Sequence, residues 1–500
     1  MTKISRRFFL MVASILPFSK TFSLEKAVPL DGYSSGKALS KIDGLKLLNL
    51  WGDQPKETQS LYTIIDSILS QHKLSSYADV ARNESFQTFC RKHDITHLGG
   101  PMLGCITETS AKIWIRTTKP MEVKVVLYSG GKTYSFGPIS SSNETDLVAL
   151  IPLDGLKPNT SYTYSVEVNG RQIQLPSNAS ISTLPGNDRI RIAFGTCPHR
   201  WGLGNQQQAD MIMKRKPSAF LMYGDVGAQD KRNHFGKHRS DYQIRDFFPA
   251  WRSLSASIPT YVTWDDHDYF DNDLAGVPRG FTDFDRDSVR QVFSQAWNNP
   301  SYGFNNNGGG IFFRTRFGPC DVLMLDNRYF RTGEKRGFLG NDQTNWLKEQ
   351  LLDCKGPFII ITCGTMWTDH ISNGKDSWGK FDPEGREEIF QFIEENNISG
   401  VVLLSGDRHG ACGFKIPRPS GYTFYEFEAA TLGGRTGPAI KAKENPNALY
   451  AFQNKYAFGE FTVDASLDDP QIHYRLIHES GEELYQIKLH LSELTPGGNS

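Results

Sequence analysis

Four apolar runs between residues 191 and 412 each empty into a turn built of glycine, aspartate or histidine. They are Arg191-Ile192-Ala193-Phe194-Gly195-Thr196-Cys197-Pro198-His199, Ala219-Phe220-Leu221-Met222-Tyr223-Gly224-Asp225, Thr260-Tyr261-Val262-Thr263-Trp264-Asp265-Asp266-His267-Asp268 and Val401-Val402-Leu403-Leu404-Ser405-Gly406-Asp407-Arg408-His409-Gly410. Runs so short and so continuously apolar suit buried strands, and their polar turns should converge at the carboxyl ends of a sheet. Helical patterns separate them, over Gln206 to Lys216, from near Asn341 through Leu351, and around Arg386 to Glu395. With further strands at Cys320 to Asp326 and Phe358 to Thr362, the alternation predicts a layered α/β core.

A chain of 500 residues is too long for one ordinary core, so two domains with smaller additions are expected. Apolar and charged contents of 38% and 22% are those of a soluble globular protein. The formal net charge is zero, which argues against nucleic acid as a partner, because binders of the phosphate backbone carry a basic excess. Residues 1–27 form a signal-like segment, with Ser5-Arg6-Arg7-Phe8-Phe9-Leu10 resembling a twin-arginine export signal. That implies the twin-arginine export machinery as a partner and a periplasmic or secreted location. Seven cysteines leave at least one unpaired if all disulfides are internal, and Cys197 is the one in a chemical context.

Residues 28–98 read as a helical lead-in, with helical patterns at Ser60 to Leu69 and Ser85 to Arg91. Over 99–184 the period changes to two, as in Ala111 to Thr117 and Val123 to Tyr128, which predicts a small β-sandwich. Leu156 to Tyr164 resembles the corner of a fibronectin-like sandwich, with Tyr162 as its corner tyrosine. The linker Pro185 to Asp188 leads to a large domain over 189–490, followed by a disordered tail at 491–500. Within the large domain, residues 226–250 suggest a surface helix beside the site, and Phe293 to Gly318 a loop or lobe. The stretches 226–250 and 300–318 would roof the pocket, with Phe235, Tyr242, Phe247 and Phe248 available to a substrate. The strand-like tail from Phe458 to Leu489 should complete a sheet of this domain.

The chemistry gathers in the four turns. Asp225 follows an apolar strand and one glycine, and a carboxylate there can bridge two cations. Three carboxylates around His267 repel one another unless cations or arginines neutralise them. Asp266 is the best ligand of that group, and His267 is placed as a proton donor whose pKa an adjacent carboxylate raises. If their loop is extended, Asp407 and His409 point the same way past Arg408, each toward one metal of a pair. Cys197 and His199 share that spacing. A thiolate with an imidazole suits zinc or iron, whereas Asp266 and Asp407 are hard ligands suited to calcium, magnesium or manganese. The expectation is two metal ions: Fe or Zn at the Cys197 side, Ca (or Mg or Mn) at the Asp266 side, sharing Asp225.

These residues carry a resemblance to the D-type alkaline phosphatases, a branch of the calcineurin-like metallophosphoesterases. It rests on the small sandwich, Cys197, Gly224-Asp225, Asp265-Asp266-His267-Asp268, Leu325 to Arg331, Leu339 to Gln343 with Trp346-Leu347, and Gly406-Asp407-Arg408-His409. The resemblance implies a four-layer α/β/β/α sandwich and hydrolysis of phosphomonoesters or phosphodiesters by an iron and calcium centre. It also implies that Arg328 or Arg331 faces the ester. Two departures stand out. The family's iron-binding tyrosine, three residues after the bridging aspartate, is Ala228 here, which puts more of that shell on Cys197 or His199. The superfamily's histidine after the strand ending at Thr362 has no clear replacement among Cys363, Thr365 and His370, which leaves a place for water or Asp265.

The implied mechanism is in-line attack on phosphorus by a hydroxide held between two metals, with Arg328 neutralising oxygens and His267 serving the leaving group. A small phosphoric ester or a phospholipid headgroup is the expected partner, and a monomer the expected state. Two alternatives use the same residues: a cysteine-dependent esterase with Cys197 and His199, and a non-catalytic, metal-stabilised binding protein.

Overall fold

Strands buried on both faces need an apolar partner on each, and here alternate residues meet different ones. The computed structural model describes residues 42–186, 188–332, 337–368, 377–437 and 445–497. One sheet has six strands in the order Thr260–Thr263, Ala219–Tyr223, Arg189–Gly195, Ala457–Asp464, Gln471–His478 and Glu483–His490, the first three parallel. A second has seven, in the order Phe313–Phe317, Cys320–Met324, Phe358–Thr362, Val401–Leu404, Thr423–Ala429, Ala411–Pro417 and Ala448–Phe452, with a parallel centre from Cys320–Met324 to Thr423–Ala429.

Ile192, Phe194, Leu221 and Tyr223 of the first sheet share a core with Val322, Met324, Ile360, Val402 and Leu404 of the second. The opposite faces meet helices. Ala193, Phe220, Met222 and Val262 pack with Ala209 and Ile212 of helix Gln206–Arg215 and Ile244 of helix Phe235–Phe247. Leu323, Ile361 and Leu403 pack with Leu347 and Leu351 of helix Gly340–Asp353 and Ile389 and Ile393 of helix Pro383–Glu395. This is the period-two rule applied to both faces at once. The protein is thus a mixed α/β fold with several sheets.

A three-stranded sheet, His97–Gly104, Ser110–Thr117 and Val148–Asp154, shares apolar residues with a sheet of Lys132–Ser140, Glu122–Ser129, Ser161–Val168 and the short strands Arg171–Gln172 and Ser180–Ser182. The Tyr162 hydroxyl accepts the Lys157 N–H at 2.8 Å. Tyr164 donates to the carbonyl of Ala256 at 2.8 Å, tying this unit to the α/β core.

Three expectations are corrected. The tail does not begin as a disordered segment at 491: Leu491–Leu494 forms a short 3-10 turn, Leu494 is buried, and its carbonyl accepts the Gly400 N–H at 2.8 Å. The helix over Phe235–Phe247 is not a surface helix: every residue from Phe235 to Asp246 except Lys237 is buried. Its buried charges are matched one by one, Arg239 to Asp146 at 2.5 Å, Asp241 to Arg200 at 2.9 Å and Asp246 to Arg245 at 2.7 Å. The lead-in helix Lys56–Leu69 and its neighbour Tyr77–Arg82 cover it, with Tyr77 donating to Gln243 at 2.8 Å. Phe235, Tyr242 and Phe248 are therefore core and closed to any substrate. The stretch 293–318 is only partly loop. It contains the end of helix Asp283–Ala296, started by a capping box between Thr282 and Asp285, and the strand Phe313–Phe317. All seven cysteines are free thiols. The export segment at 1–27 and His370 lie outside the described residues, among which no helix is long and apolar enough to cross a membrane.

Candidate metal centre

The parallel strands of both sheets run toward a common edge, and the residues that leave them there adopt a costly backbone. Cys197, His199, Asp225, Asp407 and His409 all have left-handed φ, between 49° and 77°. None is a glycine, and each such turn costs of order 1 kcal/mol. Asp407 and His409 are therefore not in an extended loop, as their spacing suggested. The left-handed turns send each into a different cluster.

Three groups have ligand atoms within 4.8 Å of one another: Cys197, Asp225 and His409; Asp225, Asp266 and His267; Asp265, Asp266 and Asp407. Asp225 belongs to the first two and Asp266 to the last two. Both carboxylate oxygens of Asp225 are buried with no hydrogen-bond donor, as is Oδ1 of Asp266. Buried carboxylate oxygens without donors are costly unless a cation meets them, so the donor set fits metal ions. The chemistry also divides: a thiol, an imidazole and a carboxylate at one end, carboxylates alone at the other.

His199 belongs to none of the three groups. Its Nδ1 lies 4.0 Å from Asp225 Oδ2, its ring stacks on Trp201 at 5.0 Å, and neither ring nitrogen has a hydrogen-bond partner. Burial, then the neighbouring His409, His267 and Arg435, holds it well below the usual histidine range. Burial, His267 and Arg435 likewise lower His409 to about 3. Both are thus neutral imidazoles, the form that ligates metal. The Cys197 thiol is pushed far up, chiefly by burial and then by Asp225. A buried, protonated thiol grouped with His409 rather than His199 does not favour the cysteine-esterase reading.

The acidic run at 265–268 splits into separate tasks. Asp268 accepts N–H groups from Val226 at 2.7 Å, Gly227 at 3.0 Å and Ala228 at 3.2 Å, and so ties the Asp225 turn to the His267 turn. Burial raises it to about 7 despite these donors. Asp265 accepts from Asn327 at 2.9 Å and from Nε of Arg328. Arg328 is fully buried, with Nη2 3.8 Å from Asp266, so the structure places it against the carboxylates. The Arg331 guanidinium stacks on Phe381 at 3.6 Å. Burial would raise Asp266, but His267, Arg328 and the N–H groups of Asp273 and His267 lower it to about 2. Burial alone would also depress His267, yet Asp266, Asp225 and Asp230 hold it well above the usual histidine range. Burial, with the crowd of carboxylates, drives Asp225 far up when no cation is present.

Sequence reasoning missed Asp230, whose Oδ1 lies 2.6 Å from His267 Nδ1, and Glu428, whose Oε1 accepts the Arg408 N–H at 2.9 Å. Only Glu428 carries a sequence signal. Asp230 is one charge in a charged loop, and Glu428 sits in the apolar strand Thr423–Ala429, where a buried glutamate breaking the pattern was the available hint.

Carboxylates, imidazoles and a thiol gathered at the strand ends of a two-sheet α/β core define a site of the metallophosphoesterase type. The family model of the PhoD-like phosphatases matches residues 224–474, half of the chain, and the protein belongs to that family. A second family model, a domain of unknown function (DUF7800), matches residues 96–185. Alkaline phosphatase D of Bacillus subtilis (strain 168) is 22% identical over 317 residues, covering 52% of this chain and 53% of its own. The chain thus spans about half the length of that curated relative. The solved structure of PhoD is similar in fold, with a TM-score of 0.63 and 18% identity over 79% of this chain and 88% of its own. GAP50, described as the anchor in the inner membrane complex of Plasmodium, is 12% identical at a TM-score of 0.37 over 61% of this chain and 90% of its own.

Proposed function

We propose that the protein is a metal-dependent phosphoric ester hydrolase of the alkaline phosphatase D type. The observation that carries this reading is the donorless, fully buried carboxylate of Asp225, shared between a Cys197–His409 cluster and an all-carboxylate side reached through Asp266. Cys197, Asp225 and His409 would hold one ion, iron or zinc. Asp225, Asp266 and Asp407, with Asp265, would hold the other, calcium, magnesium or manganese. When bound, the pair supplies Lewis-acid polarisation of the phosphoryl group and a means of ionising water at neutral pH.

The chain's own residues do the rest. Asp230 holds Nδ1–H of His267, which fixes the tautomer and stabilises the imidazolium, so the other ring nitrogen can give a proton to the leaving oxygen. Arg328 and Asn327 hold Asp265, and Asp268 keeps the Asp225 and His267 turns in register. The expected sequence is in-line displacement at phosphorus.

The two large sheets with their flanking helices form a four-layer α/β/β/α sandwich over 189–490, preceded by a fibronectin-like sandwich over 99–184 and a helical lead-in. Ser5-Arg6-Arg7-Phe8-Phe9-Leu10 directs the folded monomer through the twin-arginine machinery to the periplasm or beyond. The test is metal analysis of purified full-length protein, with hydrolysis of an aryl phosphomonoester and an aryl phosphodiester before and after chelation. Bound transition metal with chelator-sensitive turnover supports the reading. Metal-free protein that still turns over would overturn it, and full metal with no turnover would favour a binding protein.

A further inference from the structure

A phosphate group needs cationic contact beyond its metals, and the arginine expected to give it is committed elsewhere. Arg328 is buried against Asp265 and Asp266. Arg408 lies 3.4 Å from Asp407. A third arginine, Arg435, was not singled out by the sequence. It is exposed, and no carboxylate among the described residues is paired with it.

Arg435 sits on a glycine-rich strap, Thr431 to Gly437, that follows the strand Thr423–Ala429 and bonds to the turns bearing Cys197 and His409. Thr431 Oγ1 donates to the carbonyl of Cys197 at 2.7 Å, and Leu432 N–H to the carbonyl of Thr196 at 3.0 Å. Gly434 lies so close that a Cβ there would stand 1.9 Å from the Cys197 carbonyl oxygen and 3.0 Å from the His199 ring. The Arg435 carbonyl accepts Nδ1–H of His409 at 3.0 Å, and Gly437 N–H donates to the His409 carbonyl at 3.0 Å. The strap therefore holds the residue bearing this guanidinium on His409 itself.

We propose that Arg435 is the substrate-binding cation of the site, contacting a non-esterified oxygen of the phosphate group at the mouth of the metal cluster. The inference rests on the phosphoric ester reading of that cluster. A guanidinium is suited to it, because its planar fork matches two phosphate oxygens and stays charged at every working pH.

The experiment compares full-length wild type, Arg435→Ala and Arg435→Lys at equal metal content. It measures the KM and kcat for an aryl phosphomonoester, and inorganic phosphate binding by calorimetry. Arg435→Ala should raise the KM and the phosphate dissociation constant roughly tenfold, the effect of one lost charge-assisted contact. Arg435→Lys should recover part of both, and metal content should not change. Unchanged KM and phosphate affinity in Arg435→Ala would overturn the proposal. Because phosphate binding is read separately, wild type that binds phosphate but hydrolyses no ester would sink the hydrolase reading while leaving this contact standing. Metal-loaded wild type that binds no phosphate would sink the contact itself.

Discussion

Asp230 Oδ1 stands 2.6 Å from Nδ1 of His267, two residues from different turns brought together at the rim of the metal cluster. The pair is only partly covered, with 14% of the histidine side chain and 24% of the aspartate exposed, so it can exchange protons with solvent and with a leaving group. Asp230→Asn should lower kcat roughly 10- to 100-fold with little change in metal content, and His267→Ala should lower it further. Metal analysis beside steady-state kinetics checks this. Loss of metal in Asp230→Asn would move the residue from proton handling to metal support.

Asp225→Asn removes the carboxylate shared between the two clusters. Wild type should gain about 2.7 kcal/mol of stability at a metal concentration a hundredfold above its dissociation constant, whereas the variant should gain almost nothing. Its metal-free form should be no less stable than metal-free wild type, because both Asp225 oxygens already lack donors. Thermal unfolding across a metal titration separates these outcomes. A variant that keeps its full metal complement would remove Asp225 from the shared position.

Glu428 accepts N–H of Arg408 at 2.9 Å and the thiol of Cys412 at 3.3 Å, holding the turn between Asp407 and His409. Glu428→Ala leaves those donors without an acceptor and should cost about 1–3 kcal/mol, with weaker metal retention. Glu428→Gln keeps an acceptor oxygen and should recover much of both. Denaturant unfolding and metal competition report the two effects independently.

His238 lies on the buried helix Phe235–Phe247, where its Nε2–H donates to the Arg232 carbonyl at 2.8 Å. Burial lowers it to about 4 from a usual 6.5. The folded state thus favours the neutral ring, and the stability this contributes is present above pH 6.5 and is lost as pH falls toward 4. His238→Gln keeps a donor and cannot take up the proton. It should flatten stability against pH across that interval, by roughly 3 kcal/mol at its acid end. An acid limb identical to wild type would show that other groups carry the transition.

Much of the architecture was legible in the sequence because parallel strands buried on both faces must be continuous apolar runs. Ala219–Tyr223, Thr260–Thr263 and Val401–Leu404 stood out for that reason, and so did the loaded turns after them. The helix Phe235–Phe247 misled because its composition is that of a surface. Arg239, Asp241 and Asp246 are neutralised by Asp146, Arg200 and Arg245, and the first two of those partners lie far off in sequence or beyond a turn. Helix Asp283–Ala296 and strand Phe313–Phe317 were hidden by the asparagine and glycine run beside them.

The sequence by itself determined which residue types stand at the ends of the buried strands, since strand period and turn chemistry are local properties. Cys197, Asp225, Asp266, Asp407 and His409 could be named from it. Tertiary structure decided how they pair: Cys197 with His409 rather than His199, Asp407 with Asp265 and Asp266, His267 with Asp230, and Arg328 turned inward on Asp265. Those pairings depend on strand order, on left-handed φ at five non-glycine residues and on the strap that brings Arg435 to His409. Each joins segments tens to hundreds of residues apart, and a local pattern carries no information about such distances.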